Sequence, residues 1–217
     1  TNLLDYSEDF SQSFWTKNDI TLSSGFSAPD GSMNASKLVA NSGISHISNV
    51  FTVASGTTYS LSFYLKTISG SLETTIGLGS PGFPQNEGEG GRYKNITVTD
   101  EWQRFTLTST ADASAATGIS FGGFNGFSTG KEVYIWGAQL ETGVATSYIP
   151  TSGGNAAART RAADDLVISG SAFSDFYNQS EGTVYGEMVR NVDPYDSYPV
   201  IFHAGASTDY IRLSTSG

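Results

Sequence analysis

The chain has 217 residues, of which 38% are hydrophobic and 12% aromatic, so it carries enough apolar material for a packed core and is not disordered as a whole. Its net charge of −10 argues against nucleic acid and anionic membrane surfaces as partners, because neutralising phosphates requires clusters of Lys and Arg. The lack of cysteine excludes disulfides and zinc–thiolate sites, and the lack of a long apolar run argues against insertion into a membrane.

Alternation of apolar and polar residues predicts strands along the chain, and no stretch shows the 3.6-residue period of a helix. The clearest alternation covers residues 59–66, which puts Tyr59, Leu61, Phe63 and Leu65 on one face and Ser60, Ser62, Tyr64 and Lys66 on the other. Further strands are predicted at Ser36–Val39, Ile47–Thr52, Leu72–Leu78, Ile96–Thr99, Arg104–Thr108, Thr117–Phe121 and Lys131–Glu141. This order predicts an all-β fold, an antiparallel β-sandwich of the jelly-roll type.

Two segments interrupt the strands. Residues 79–91 form a long Gly/Pro/Glu loop, and loops of that length in compact domains are often functional or mobile. Residues 152–164 change composition abruptly and read as a linker. Strands are then predicted to resume at Asp165–Ile168, Gly182–Arg190, Pro199–Ala204 and Asp209–Ser214.

The two ends of the first segment carry a family resemblance. Residues 133–151 (VYIWGAQLETGVATSYIPT) and the opening 2–11 (NLLDYSEDFS), with Trp15, resemble a carbohydrate-binding-module-like jelly-roll domain that recurs in bacteriophage tail and fibre proteins. Residues 173–187 resemble the start of a concanavalin-like or laminin-G-like sandwich. The expected organisation is therefore a jelly-roll domain over 1–151, the linker, and an incomplete second β-sandwich over 165–217. Thr1 in place of Met indicates a processed chain or an excised fragment. The end just after a predicted strand indicates either a truncated second domain or a segment that joins neighbouring chains.

Aromatic residues next to cations are the candidates for sugar binding, because sugar rings stack on exposed aromatic faces. Tyr64 and Lys66 share the polar face of strand 59–66, and Arg104 is expected on the same face if Phe105 and Leu107 point into the core. Phe83, Tyr93 and Phe124 lie in or beside loops from which they could reach a glycan. The alternative is an ordinary solvated sheet face. Phe124 and Phe127 could instead form a contact between subunits.

The family resemblance also implies a structural calcium ion, since many jelly-roll binding modules hold one through carboxylates. The candidate ligands are Asp5, Glu8, Asp9 and Glu141, because the two ends of such a module lie side by side. A solvated acidic surface is the alternative. Beyond that ion, no cofactor is expected.

The resemblance implies a non-enzymatic module of a virion, acting outside the cell in host adhesion. Its expected partners are bacterial surface polysaccharide and other tail or fibre proteins, and its expected state is a homo-oligomer such as a trimer. The two histidines, His46 and His203, stand near no nucleophile motif, so no catalytic residues are predicted. Two alternatives stay open, a structural or assembly module without sugar binding and the accessory domain of a depolymerase.

Overall fold

The structure is a computed structural model, and it describes residues 1–123, 126–153, 200–203 and 210–212. The chain divides into two compact units, Thr1–Ala163 and Asp164–Gly217. The described part of the second unit is one antiparallel pair of strands, β11 (Val200–His203) and β12 (Tyr210–Arg212). No helix long and apolar enough to cross a membrane occurs among the described residues.

The first unit is a sandwich of two five-stranded antiparallel sheets, which confirms the predicted fold class. Its strands are β1 (Thr16–Asn18), β2 (Ile20–Phe26), β3 (Ala35–Ala40), β4 (His46–Val53), β5 (Thr58–Thr67), β6 (Leu72–Gly77), β7 (Tyr93–Val98), β8 (Gln103–Thr110), β9 (Ala115–Phe121) and β10 (Glu132–Thr142). Sheet A has the order β1-β4-β9-β6-β7, and sheet B has the order β2-β3-β10-β5-β8. Neighbouring strands are therefore mostly distant in sequence, as jelly-roll connections require.

Alternating side chains build the core between the two sheets. Leu61, Phe63 and Leu65 of β5 are fully buried, as the alternation of residues 59–66 predicts, and Leu107 of β8 joins them. Trp15 closes one end of the core, and its indole N–H donates to the Tyr6 carbonyl at 3.0 Å, which satisfies its polar atom.

β10 contains a bulge that the regular alternation of its sequence does not show. The ladder with β5 shifts register between Trp136 and Gln139, and Gly137 has a φ of +63°. Before the bulge the core residues are Val133 and Ile135, and after it they are Ala138 and Leu140. The bulge therefore changes which alternate residues of β10 face outward. The outward set becomes Glu132, Tyr134, Trp136, Gln139 and Glu141.

The long loop 79–91 seals an edge of the sandwich. Its Glu89 accepts a hydrogen bond from the backbone N–H of Thr108 at 2.8 Å, and the N–H of Gly90 donates to the Thr108 carbonyl at 2.8 Å. Both bonds reach β8, the edge strand of sheet B, whose backbone groups would otherwise be unpaired. A structural role in covering this edge therefore accounts for the length of the loop.

Candidate functional site

The outer face of sheet B carries the residues that the sequence singles out. Tyr64 of β5 stands directly opposite Arg104 of β8, and the guanidinium carbon lies 5.7 Å from the centre of the tyrosine ring. Lys66 is the next outward residue along β5, opposite Tyr134 of β10. The expectation that Tyr64, Lys66 and Arg104 share one face is therefore confirmed by the register of the strands.

One half of this face is covered by the chain that follows β10. Ser60 and Ser62 are buried, and the Ser60 hydroxyl donates to the carbonyl of Gly143 at 2.6 Å. Arg104 donates to the Ser62 hydroxyl at 3.0 Å and to the Thr146 carbonyl at 2.5 Å. These contacts hold the returning segment down on the sheet, and they occupy most of the hydrogen-bonding capacity of Arg104.

Tyr64 is packed within this covered half. Its ring lies 5.3 Å from Trp136 and 6.2 Å from Tyr148, both in edge-on arrangements, with the Arg104 guanidinium nearby. Gly137 lies beneath it, where an added Cβ would be 3.0 Å from the Tyr64 ring. Tyr64 and Arg104 therefore help to hold the cover on the sheet, and Tyr64 is half-buried by these contacts.

The other half of the face carries what we call the aromatic platform: Phe26, Lys37, Lys66, Trp102 and Tyr134. Tyr134 stands opposite Lys37 on one neighbouring strand and opposite Lys66 on the other. Its ring lies 5.1 Å from Phe26 and 6.4 Å from Trp102. All five side chains are half-buried, so their bases are packed while their outer surfaces remain accessible.

The sequence points to only part of this platform. Lys66 is predicted, whereas Tyr134, Lys37, Phe26 and Trp102 are not. Tyr134 belongs to the platform because β10 lies between β3 and β5, an order that no local pattern reveals. The available signal is the pair Tyr134 and Trp136, two aromatic residues at alternate positions of one strand.

Besides Tyr64 and Arg104, the predicted sugar-binding residues Phe83 and Tyr93 do not join the platform. Phe83 was expected to overhang the polar face, but it is buried in the core, 6.0 Å from the Tyr59 ring, because the long loop folds it inward. Tyr93 lies on β7 and hence on sheet A, apart from the face that carries Tyr64. Phe124 lies outside the described residues. Phe127 is buried against Phe121 at 5.5 Å within one chain, so the expected subunit contact cannot use it without unfolding.

The four predicted calcium ligands do not converge. Among the described residues, no three acidic or histidine side chains form a group that could hold a metal ion. Glu141 is buried and is bonded to Gln139 at 2.6 Å and to the Thr146 N–H at 2.9 Å. Asp9 accepts hydrogen bonds from Ser11 and Gln12. Asp5 does not join two other acidic side chains in a group of three. Protein donors already bond to the carboxylates of Glu8, Asp9 and Glu141, and calcium binding by the module stays a prediction.

The motifs at the two ends of the unit instead form a buried clasp. The Asn2 amide donates to the carbonyls of Ala138 and Ile149, each at 3.0 Å, and its oxygen accepts from the Leu140 N–H at 3.2 Å. The Ile149 N–H donates to the Gln139 side chain at 2.6 Å. The two ends lie side by side, as the resemblance implies, and their unusual residues serve to join them.

Ser7 and Glu8 extend the clasp toward the surface. The Ser7 hydroxyl bonds the Tyr148 hydroxyl at 2.6 Å, and Glu8 accepts from Tyr148 at 3.0 Å and from the Asn34 amide at 2.6 Å. Burial raises the pKa of Glu8, with a further contribution from the nearby Asp30 carboxylate, although the Tyr148 hydrogen bond opposes the shift. Burial also raises the pKa of Tyr148, which keeps it protonated.

A cleft of about 660 Å³ lies beside this network, lined in part by Tyr6, Glu8, Met33 and Asn34. Hydrogen bonds within the Asp9 turn outweigh its burial and lower the pKa of Asp9, which also lines the cleft. Both oxygens of Glu8 are already bonded within the protein, so this carboxylate has little capacity left for a ligand in the cleft, and the cleft lacks the row of cations and aromatic rings that the platform has. The platform is therefore the stronger candidate site.

No family model matches the chain, and no curated protein matches it. Solved structures similar to it include the CBM22-1 xylan-binding domain from Paenibacillus barcinonensis Xyn10C, at 13% identity and a TM-score of 0.48 over 67% of this chain and 97% of that one. Bacteriophage CBA120 tailspike protein 4 is similar at 16% identity and a TM-score of 0.44, over 65% of this chain. An arabinose-bound GH51 α-L-arabinofuranosidase is similar at 18% identity and a TM-score of 0.43, over 60% of this chain.

The chain spans 21% of the tailspike and 23% of the arabinofuranosidase. The solved structures that resemble this chain thus include carbohydrate-binding modules and a phage tailspike domain.

Proposed function

We propose that the first unit is a non-enzymatic module that binds a polysaccharide on the aromatic platform. The observation that carries the proposal is the row Lys37–Tyr134–Lys66, which crosses three adjacent strands, with the Phe26 and Trp102 rings beside Tyr134. Flat aromatic surfaces receive the C–H faces of sugar rings, and ammonium groups at their margins donate to sugar oxygens.

The position of the platform favours a rigid site. β10 and β5 are interior strands of sheet B, and β10 makes ladders with both β3 and β5. Side chains on such strands keep their spacing without a ligand, so little ordering entropy is lost on binding. A face of this kind suits an extended chain of sugars rather than a small enclosed molecule.

The charges on the platform support binding without hydrolysis. Glycoside hydrolysis generally requires two carboxylates that flank the scissile bond. The carboxylate of Glu132, on β10 close to Tyr134 in sequence, is paired with Lys37 at 3.3 Å. Glu132 alone does not make the pair of carboxylates that this chemistry requires. The proposal therefore includes no catalysis by this unit.

The biological setting that we propose is the tail or fibre of a bacteriophage, outside the cell. There the ligand would be a bacterial surface polysaccharide, the module would act in adhesion to the host, and the neighbours would be other tail or fibre proteins in a homo-oligomer. The resemblance of residues 2–11 and 133–151 supports this setting. Two assignments compete with this one: a structural fibre module without sugar binding, and an accessory domain of a depolymerase.

Affinity electrophoresis of the full chain through gels that contain bacterial surface polysaccharides tests the proposal. We expect one or more polysaccharides to retard the chain, and the single variants Tyr134→Ala and Trp102→Ala to lose most of the retardation. Tyr93→Ala, on sheet A, is the matched control and should migrate as the parent chain does. A folded chain that no polysaccharide retards would favour the structural assignment.

A further inference from the structure

The lysines of this chain differ sharply in how their ammonium groups are used. All five lie among the described residues: Lys17, Lys37, Lys66, Lys94 and Lys131. Lys17 donates to backbone carbonyls, the shortest contact being 2.8 Å to Gln12. Lys37 pairs with Glu132, and Lys94 pairs with Glu89 at 2.7 Å. Lys66 and Lys131 have no hydrogen-bond or ion-pair partner among the described residues.

These two lysines stand in different surroundings. Lys131 is exposed in the turn before β10, where an unpaired ammonium is ordinary. Lys66 is half-buried on the outer face of sheet B, opposite Tyr134. The ladder between β5 and β8 ends at the pair Leu65 and Gln103, and Trp102 directly precedes Gln103 in the chain. The Trp102 ring lies 6.4 Å from that of Tyr134. Lys66 therefore places an uncompensated cation at the aromatic surface.

The electrostatics of this face contrast with those of the whole chain. The chain carries a net charge of −10, yet the described outer face of sheet B presents Lys37, Lys66 and Arg104. Glu132, which precedes Tyr134 on β10, is already paired with Lys37, and the exposed Glu101 directly precedes Trp102 in the sequence. Glu141 is buried beneath the segment that follows β10 and is 3.7 Å from the terminal amino group. A locally positive aromatic surface on an acidic protein selects ligands by charge, because anionic ligands are attracted to that face and repelled elsewhere.

We infer that the polysaccharide bound at the platform is acidic, with a carboxylate or sulfate group that pairs with Lys66 while a neighbouring sugar ring stacks on Tyr134. The inference rests on the proposed function and adds the chemical class of its ligand. A carboxylate would complete the coordination of the unpaired ammonium by a charge-assisted hydrogen bond. Removing such a bond lowers affinity by about tenfold or more.

Calorimetric titration of the full chain tests the inference with paired probes. The acidic probes are polygalacturonate, alginate and dextran sulfate, and the neutral counterparts are the carboxyl-reduced forms of the first two and unmodified dextran. We expect at least one acidic probe to bind at least about tenfold more tightly than its neutral counterpart. We also expect this binding to weaken as sodium chloride is raised, because the ammonium and the acid group are partly solvated.

Variants of the two unpaired lysines separate a specific contact from general charge. Lys66→Gln should lose about tenfold in affinity for the acidic probe, whereas Lys131→Gln, with the same change in net charge, should bind as the parent does. Lys66→Arg should retain binding and guards against a folding defect in the glutamine variant. Equal losses in Lys66→Gln and Lys131→Gln would overturn the inference.

Failure of the inference is distinguishable from failure of the proposed function. Binding to neutral probes as tight as to acidic ones, lost in Tyr134→Ala and unchanged in Lys66→Gln, would overturn the acidic ligand and keep the glycan-binding platform. A folded chain that binds no acidic or neutral probe, and that no bacterial polysaccharide retards, would overturn both.

Discussion

The side-chain oxygen of Asn2 accepts a hydrogen bond from the backbone N–H of Leu140 at 3.2 Å, across 138 positions of sequence. The same side chain donates to the carbonyls of Ala138 and Ile149 and is almost fully buried. Asn2 thereby satisfies backbone groups on β10 and on the segment that follows it. The buried amide of Asn2 therefore joins the two ends of the unit.

Replacing Asn2 by alanine should destabilise the first unit by roughly 2–4 kcal/mol, because several buried backbone groups would lose their partner. All three tryptophans lie in this unit, so urea unfolding of the full chain followed by tryptophan fluorescence reports on it. Asn41→Ala, at an exposed position, should change the free energy of unfolding by less than about 0.5 kcal/mol. Similar losses in the two variants would show that the clasp contributes no special stability.

Gly137→Ala should be more destabilising than Gly143→Ala, although both glycines have positive φ, +63° and +82°. A Cβ at Gly143 meets open space, so only the backbone conformation is penalised, by about 1 kcal/mol. A Cβ at Gly137 would lie 3.0 Å from the Tyr64 ring and 3.3 Å from the Tyr148 ring, which adds roughly 1–3 kcal/mol of overpacking. Urea unfolding of both variants measures the difference, and equal effects would mean that the rings move aside freely.

Glu8 should make the first unit less stable as the pH rises from about 4.5 toward neutrality. An ordinary glutamate titrates near pH 4.5, and the pKa of Glu8 in the folded protein is higher. Between these two values the folded state binds more protons than the unfolded state, so its stability falls with increasing pH. The lowered pKa values of Asp9 and Asp30 act in the opposite direction, but below pH 4.

The Glu8→Gln variant isolates this effect, because the amide does not titrate. The free energy of unfolding of the parent chain, relative to that of Glu8→Gln, should decrease between pH 4.5 and 7. Urea unfolding at several pH values gives this difference directly. A constant difference across the range would contradict the raised pKa.

Calcium should leave the stability of the first unit unchanged. The carboxylates of Glu8, Asp9 and Glu141 are held by protein hydrogen bonds, and no described group of acids could hold a metal ion. Because a ligand stabilises only the state that binds it, millimolar calcium should shift the free energy of unfolding by less than about 0.5 kcal/mol. A thermal melt with calcium and with a chelator measures this, and a clear rise in the melting temperature with calcium would contradict the structure.

The fold and the shared face of Tyr64, Lys66 and Arg104 can be predicted from the sequence, because the alternation of a strand is a local pattern. The alternation of residues 59–66 correctly separates the core residues of β5 from Tyr64 and Lys66. It also brings Arg104 to the same face once Leu107 is assigned to the core. The start of the chain is less regular, and β1 and β2 were not predicted, because Asp19 interrupts them with a φ of +50°.

The rest of the site depends on relationships between distant segments. The bulge at Gly137 moves Gln139 and Glu141 to the outer face, and the next residues then fold back over Ser60 and Ser62. This return brings the Tyr148 ring to 6.2 Å from Tyr64, which no alternation within β5 or β10 could indicate. Phe83 was misassigned for a similar reason, since a loop composition does not reveal which of its side chains enters the core.

Hydroxyl-radical footprinting of the full chain, with and without a saturating polysaccharide that retards it, tests most directly whether the platform binds sugar. Mass spectrometry then gives the oxidation rates of Tyr134 and Trp102 on sheet B and of Tyr93 on sheet A. The platform assignment predicts that the ligand protects Tyr134 and Trp102 and leaves Tyr93 unchanged. Protection of Tyr93, with Tyr134 and Trp102 oxidised as fast as before, would contradict it.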